Sequence, residues 1–334
     1  MTLEKVTSVD RVRLLDVDRA KGLAIFLVVL GHLFINEVPT GSDWYFELNR
    51  VIYKFHMPFF MFLAGLVMFY TLPNLSTLAD CARFAKKKLF RFMSAYLLFA
   101  AVVWASKFAA ARFLYVERPV SGLSDFITVL ARPRYSFCGS LWYIYVVSIY
   151  FLVIPLLLKL VKQKLELLLI FAFALYFVPS TTYFALEQVF EYMFVFLLGG
   201  YVARHLEPYY WLLDRYFWAF LLVFAGILIF AFQMEMPKLI VGLVSLPALH
   251  SLVRWGVFKE SSLLRLLGKY TFPIYLMNTL AIGLPRALIY KYGLWDNMNF
   301  LLMCLILSLS GILIPIAAQR YFISRTPVLR KIVY

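Results

Sequence analysis

The chain has 334 residues, 63% of them hydrophobic and 15% charged, with a mean hydropathy of +0.81. A soluble domain carries about 45–50% apolar and about 25% charged residues, so this balance excludes a soluble globular fold and predicts an all-α polytopic membrane bundle. The net charge of +15 sits at the ends of apolar runs rather than in basic tracts leading into polar arms, which points to membrane lipid and away from nucleic acid.

In chain order, apolar runs of spanning length fall at 20–38, 51–71, 89–111, 140–159, 165–181, 188–204, 212–233, 238–256, 269–290 and 299–319, predicting about ten transmembrane helices. The first run follows Arg11, Arg13, Arg19 and Lys21 like a signal peptide. No small-x-small cleavage site follows it, so it is read as a retained span. Alternate connections hold 23 of the 33 lysines and arginines against nine on the other side, which predicts both termini in the cytoplasm. A single membrane domain over 1–334 is expected, with a cytoplasmic N-terminal segment at 1–19 and a cytoplasmic tail at 320–334. The longest connection, Arg112 to Ser140, is expected outside. Cys81, Cys138 and Cys304 show no metal-ligand spacing and read as packing residues, and no metal is expected.

Ionisable residues at bilayer depth are costly, so each is a functional candidate. Lys21 and His32 are 11 residues apart. In a continuous helix they share a face to within about 20°, separated by about 16 Å, with Ile25 and Val28 between them. Asp18 lies one turn below Lys21, in position to pair with it. The bland alternative is a snorkelling lysine and a helix-bridging histidine. In the second run Pro58 falls inside the span, where it frees the carbonyl of Lys54 and kinks the chain beside His56. His32 and His56 are expected at similar depth toward the outer face, as in a shared pocket suited to general base work or proton relay.

Other candidates gather at the same level. Trp142 and Tyr143 open the fourth run after Arg134, either as interfacial aromatics or as rings that hold a sugar. Glu187 and Glu191, one turn apart, could orient a histidine or a sugar hydroxyl, or simply be solvated. Asn278 reads most simply as a helix–helix bridging residue. Lys86, Lys87, Lys88 and Arg91 form a cationic patch on the cytoplasmic side. His205 and His250 read as surface features.

Taken together, "DVDRAKGLAIFLVVLGH", "FHMPFFMFLAGLVMF", "LWYIY" and "LGKYTFPIYLMN" resemble the acyltransferase-3 family of integral membrane acyltransferases. The most similar branch is the one containing fucose 4-O-acetylase-like proteins. The resemblance implies about ten spans and transfer of an acyl group, usually acetyl from acetyl-CoA, to a hydroxyl of a cell-envelope glycan or related carbohydrate acceptor. The family's basic-x10-His pair falls on Lys21 and His32; many relatives carry arginine at the first position. The histidine that many relatives place in the ninth span is Asn278 here. The implied location is a bacterial inner membrane, and homo-oligomerisation is left open.

On this reading His32 deprotonates the acceptor, and His56 positions the acceptor or the developing oxyanion. Lys21, Lys86, Lys87, Lys88 and Arg91 hold the CoA phosphates, and Trp142, Tyr143, Arg134, Glu191 and Asn278 face the acceptor. Intramembrane histidines and a proline kink serve a proton-coupled transporter or glycan flippase equally well.

Overall fold

The computed structural model describes residues 12–34, 37–114, 116 and 118–333. Residues 1–11, most of the expected N-terminal segment, lie outside the described residues, as do Ile35 and Asn36 of the first expected span, Tyr115 and Glu117 of the long connection, and Tyr334. The described residues are helical without a strand. The helices are α1 (Leu15–Gly31), α2 (Trp44–Thr71), α3 (Leu78–Ala110), α4 (Asp125–Ala131), α5 (Trp142–Leu160), α6 (Leu165–Tyr176), α7 (Leu186–Arg204) and α8 (Leu206–Arg215). They continue with α9 (Phe217–Gln233), α10 (Lys238–Arg254), α11 (Gly256–Lys259), α12 (Ser262–Lys269), α13 (Thr271–Lys291), α14 (Phe300–Tyr321) and α15 (Pro327–Val333).

Each expected apolar run carries a helix, but their lengths differ. Among the described residues, α2, α3, α5, α7, α13 and α14 are long and apolar enough to cross a membrane. A further span arises if α8 and α9 count as one, although they are bent by 75° at their junction. α1, α9 and α10 have 17 residues each and α6 has 12. At 1.5 Å per residue, 17 residues reach only about 26 Å, slightly short of a hydrocarbon core of about 30 Å. The 112–140 connection is no open loop: it carries α4, and Tyr96 of α3 donates to the carbonyl of Val129 at 2.6 Å.

Two helix crossings are set by glycine. A Cβ on Gly65 of α2 would lie 1.8 Å from the Phe196 carbonyl of α7, and one on Gly199 would lie 2.0 Å from the Phe62 carbonyl. Backbones therefore touch, the close approach that small residues permit where lipid supplies no hydrophobic drive between helices. In the same way α12 meets α1. A Cβ on Gly22 would strike the Leu264 carbonyl at 2.0 Å, and one on Gly268 the Asp18 carbonyl at 1.9 Å. α1 is thereby fixed to α12, while α10 and α2 also pack against it. The ends are locally encoded: Thr77 and Asp80 form a reciprocal capping box on α3, and Asn299 caps α14.

α1 stops earlier than the sequence suggests. His32 is its C-cap, with its N–H on the Val29 carbonyl at 3.0 Å, so the last turn is tightened. α2 in turn starts at Trp44, putting His56 three turns into the helix instead of about five residues below its end. The reason is a polar end for α1. Asn49 donates to the carbonyls of Gly31 and Phe34 at 3.2 Å each, and Tyr53 donates to Gly31 at 3.1 Å. Those α1 carbonyls would otherwise be buried without partners.

Gly65→Ala should lower the detergent-solubilised melting temperature, equivalent to about 1–3 kcal/mol or more of overpacking. Gly226→Ala, where an added Cβ meets nothing within 4 Å, is the matched control and should leave it unchanged. Equal melting temperatures for the two variants would refute the crossing.

Candidate active site

Polar residues cluster where α1, α2 and α13 meet. Asn278 of α13 is fully buried, and its side-chain amide donates to the carbonyls of Ile274 and Tyr275, each at 2.9 Å. Those two bonds fix the amide with its oxygen pointing away. Asn278 Oδ1 then lies 2.8 Å from His32 Nδ1. An amide oxygen only accepts, so His32 carries its proton on Nδ1, and the lone pair of the neutral ring is on Nε2. The residue expected to bridge helices does so, and its partner is the leading candidate histidine.

His56 is held by the same logic on its own helix. It is 2% exposed, and its Nδ1–H donates to the Ile52 carbonyl at 2.7 Å, which again leaves Nε2 as the acceptor nitrogen. Its ring stands edge-on to Tyr53 with centroids 4.8 Å apart, and the Tyr53 hydroxyl reaches Gly31, the residue before His32. One tyrosine thus links the two histidine environments, with His56 one turn further into the bundle. The expected kink is present in altered form: Pro58 lies within α2, and Gly242 of α10 packs against its ring and beside the freed Lys54 carbonyl. Protein, not lipid, covers the interrupted ladder.

A second wall forms around Lys238, a residue that the sequence reading did not single out. Lys238, at the start of α10, pairs with Glu191 at 2.6 Å and donates to the Tyr192 hydroxyl. Tyr192 packs on Trp142 with centroids 5.2 Å apart, and Arg134 lies over the Trp142 ring at 5.7 Å. Lys238, Glu191, Tyr192, Trp142 and Arg134 thus form one connected polar wall. Glu191, Trp142 and Arg134 are therefore brought together, although Glu191 engages a lysine and not an imidazole. Trp142, at 9% exposure, is a buried ring and no lipid-facing belt residue. Tyr143 turns the other way, stacking on Phe60 at 4.7 Å and meeting Tyr275 at 5.1 Å, next to Asn278.

The basic candidates separate. Lys21 lies 3.5 Å from Asp18, the pairing expected from the sequence, and Arg13 shares that carboxylate at 2.5 Å. The stripe joining Lys21 to His32 is no open face, since Ile25 and Val28 between them are 0% and 1% exposed. Lys86 and Lys87 are exposed on α3, Lys88 lies over Phe84 and Phe151, and Arg91 lies over Phe272 with its Nε buried and unpartnered among the described residues. These four sit on a different element from Lys21.

His250 corrects the sequence reading. It is fully buried, not a surface residue, with Nε2 3.2 Å from Asp16 and Nδ1 3.1 Å from the Tyr209 hydroxyl. Arg254, one turn on, also reaches Asp16 at 3.1 Å and makes two bonds to Asp214. The first turn of α1 and the broken-off α8 cover this end of α10, which a helical wheel of α10 alone cannot reveal. The signal was its i, i+4 spacing with Arg254. His205, by contrast, is exposed, at the junction of α7 and α8, with its Nδ1 on the Tyr201 carbonyl at 2.9 Å. No group of three or more His, Cys, Asp or Glu able to hold a metal ion occurs among the described residues.

The chain is 25% identical over 214 residues to "Nodulation protein NolL" of Mesorhizobium japonicum, covering 63% of this chain and 53% of that protein. It is 30% identical over 141 residues to "Nodulation protein NolL" of Sinorhizobium fredii, covering 42% of this chain and 35% of that protein. The aligned part therefore spans about half, or less, of these relatives' length. No solved structure is significantly similar. The family model described as "Acyltransferase domain" matches residues 14–320, nearly the whole helical bundle, and the chain belongs to the acyltransferase-3 family of integral membrane proteins.

Proposed function

We propose that the chain is an O-acetyltransferase, similar to the fucose 4-O-acetylase-like branch, that moves acetyl from acetyl-CoA to a hydroxyl of a cell-envelope glycan. It works as one domain over 1–334 in a bacterial inner membrane with both termini cytoplasmic. The observation that carries this reading is the 2.8 Å bond from His32 to Asn278, because it fixes the ring orientation and tautomer that a general base needs.

In this mechanism His32 Nε2 takes the proton of the acceptor hydroxyl as its oxygen attacks the thioester carbonyl. The C–O bond forms, the C–S bond breaks, and the proton on His32 passes to the departing sulfur. Asn278 stabilises the imidazolium from the opposite side of the ring. His56, with Nδ1–H committed to Ile52, offers an acceptor nitrogen when neutral. That suits it to holding a second hydroxyl of the acceptor better than to stabilising an oxyanion, which needs a donor. Trp142 and Tyr143 supply ring faces, and Arg134 and Glu191, with Lys238, supply polar groups for a sugar. Lys21, Lys86, Lys87, Lys88 and Arg91 would hold the donor phosphates. The unpartnered Nε of Arg91 fits that role.

His32→Ala should reduce acetyl transfer by about 10²–10⁴-fold, the usual worth of a general base, with membrane insertion intact. Free thiol release from acetyl-CoA by purified protein, with and without glycan, measures it. Full activity in that variant would sink the assignment, and transport of an unmodified solute without thiol release would favour a transporter. Asn278→Leu should lower kcat by about tenfold or more with little change in KM, since it orients the base without touching substrate. Asn278→Gln should restore part of the loss, and a purely packing role predicts that leucine is the milder change.

A further inference from the structure

The end of the bundle opposite the histidines holds a cationic cavity whose residues take no part in the proton transfer at His32. Its volume is about 240 Å³, and its walls include Arg19, Asp214, Phe217, Arg254, Trp255 and Lys259. It lies where the first turn of α1 meets α8, α10 and α11.

Arg19 is the informative residue. It is 8% exposed, its Nε donates to the Val253 carbonyl at 3.1 Å, and it makes no ion pair among the described residues. The nearby carboxylates are committed elsewhere: Asp16 to His250 and Arg254, Asp18 to Arg13 and Lys21, and Asp214 to Arg254 through both oxygens. A guanidinium buried without a counter-charge is costly, and the cheapest remedy is an anion in the space it borders. Three cations line the cavity, and the two carboxylates that hold Arg254, Asp214 and Asp16, offset two of them, so the wall keeps a positive charge that an anion would balance. Guanidinium forks match phosphoryl oxygens in geometry as well as charge.

Size and surroundings narrow the choice. A cavity of 240 Å³ lies below the roughly 300–1,000 Å³ of sites that enclose whole small molecules. It suits one end of a longer ligand. Its rim carries Trp255, stacked on Phe217 at 4.6 Å and edge-on to Trp218 at 5.4 Å, with Trp255 and Trp218 at least half exposed. Exposed tryptophans beside a 75° break between helices mark the level of a membrane–water interface.

We propose that Arg19, Arg254 and Lys259 form a phosphoryl-binding site at this interface, separate from His32 and His56. The phosphoryl group belongs either to a soluble nucleotide such as the 3′-phospho-ADP end of coenzyme A or to an anionic phospholipid. The site stands whether or not His32 catalyses acyl transfer.

Binding separates the sources. Purified protein is titrated calorimetrically with coenzyme A and with adenosine 3′,5′-bisphosphate. Retained phosphatidylglycerol is counted by native mass spectrometry after reconstitution in nanodiscs of that lipid. Arg19→Gln should weaken one of the two ligand classes by about tenfold or more, the worth of a charge-assisted contact. Lys259→Gln, at an exposed position tolerant of change, should weaken the same class by about threefold and serves if Arg19→Gln fails to fold. Loss confined to the nucleotides assigns the site to a soluble ligand, and loss confined to the lipid assigns it to the bilayer. Unchanged binding of both classes in the folded variants overturns the site. His32→Ala should bind both ligands normally, so failure of the catalytic reading leaves this result unaffected.

Discussion

The bundle is organised around the cost of carrying charge on α1 into a medium with little water. Asp16, Asp18, Arg19, Lys21 and His32 all lie on or at the end of a helix whose other residues are apolar. None is left to solvent alone. Asp16 is met by His250 and Arg254 of α10, Asp18 by Arg13 and Lys21, Arg19 by the Val253 carbonyl, and His32 by Asn278 of α13. Because buried polar groups without partners cost several kcal/mol each in hydrocarbon, these pairings determine which helices must surround α1 and in what register. The glycine contacts follow from that demand, since α12 can approach only where Gly22 and Gly268 let two backbones touch.

α2 plays the complementary part. It caps the end of α1 through Asn49 and Tyr53, carries His56 one turn inward, and is itself gripped by α7 at Gly65 and Gly199 and by α10 at Pro58. The proline interrupts the α2 ladder beside His56, and Gly242 covers the gap. A backbone irregularity next to an ionisable side chain is thereby enclosed by protein on a helix locked at two further points. Rigid placement of this kind is what lets an imidazole hold one orientation in the absence of ligand.

Much of this was legible in the sequence, and what was not has a common cause. Apolar runs located the long helices but not the short ones α4, α11, α12 and α15, and single residues stood out for their expense: His32, His56, Pro58 and Asn278 each broke an apolar run. The Asp18–Lys21 pair was readable because both ends lie on one helix, three residues apart. His32–Asn278, Glu191–Lys238 and Asp16–His250 were not, because nothing in one helix states which other helix will face it. Those pairs are separated by 246, 47 and 234 positions. His250 was misread for this reason: its own helix looks like a surface end, and only α1 and α8 bury it. Helix ends were missed where partners outside the helix decide them, as with α1 halting at Gly31 under Asn49 and Tyr53. Lys238 carried no signal at all, because a lone cation at the start of an apolar run reads as an ordinary loop charge.

The arrangement also bears on how the two ends of α1 relate. Arg19 and His32 are about 20 Å apart along the helix rise. Between them Ala20, Ala24, Ile25, Val28 and Val29 are essentially inaccessible, while the half-buried strip of Leu23, Phe26, Leu27 and Leu30 is apolar and lies on the opposite side from Lys21 and His32. No polar path therefore runs along α1 from one end to the other. A phosphoryl-bearing donor held at the Arg19 end and a base at His32 would be separated by a packed apolar layer. A membrane enzyme whose donor and acceptor approach from opposite sides needs such a layer, because a continuous wet channel between a proton-accepting histidine and the far side would leak protons. Acyl passage would then require α1 to part locally from neighbours that grip it most tightly at Gly22 and Gly268, near the Arg19 end. Toward α14 the nearest atoms to a Cβ on Gly311 belong to the side chains of Ile282 and Val29, so that contact, unlike those at Gly22 and Gly268, is made by side chains and not by backbone.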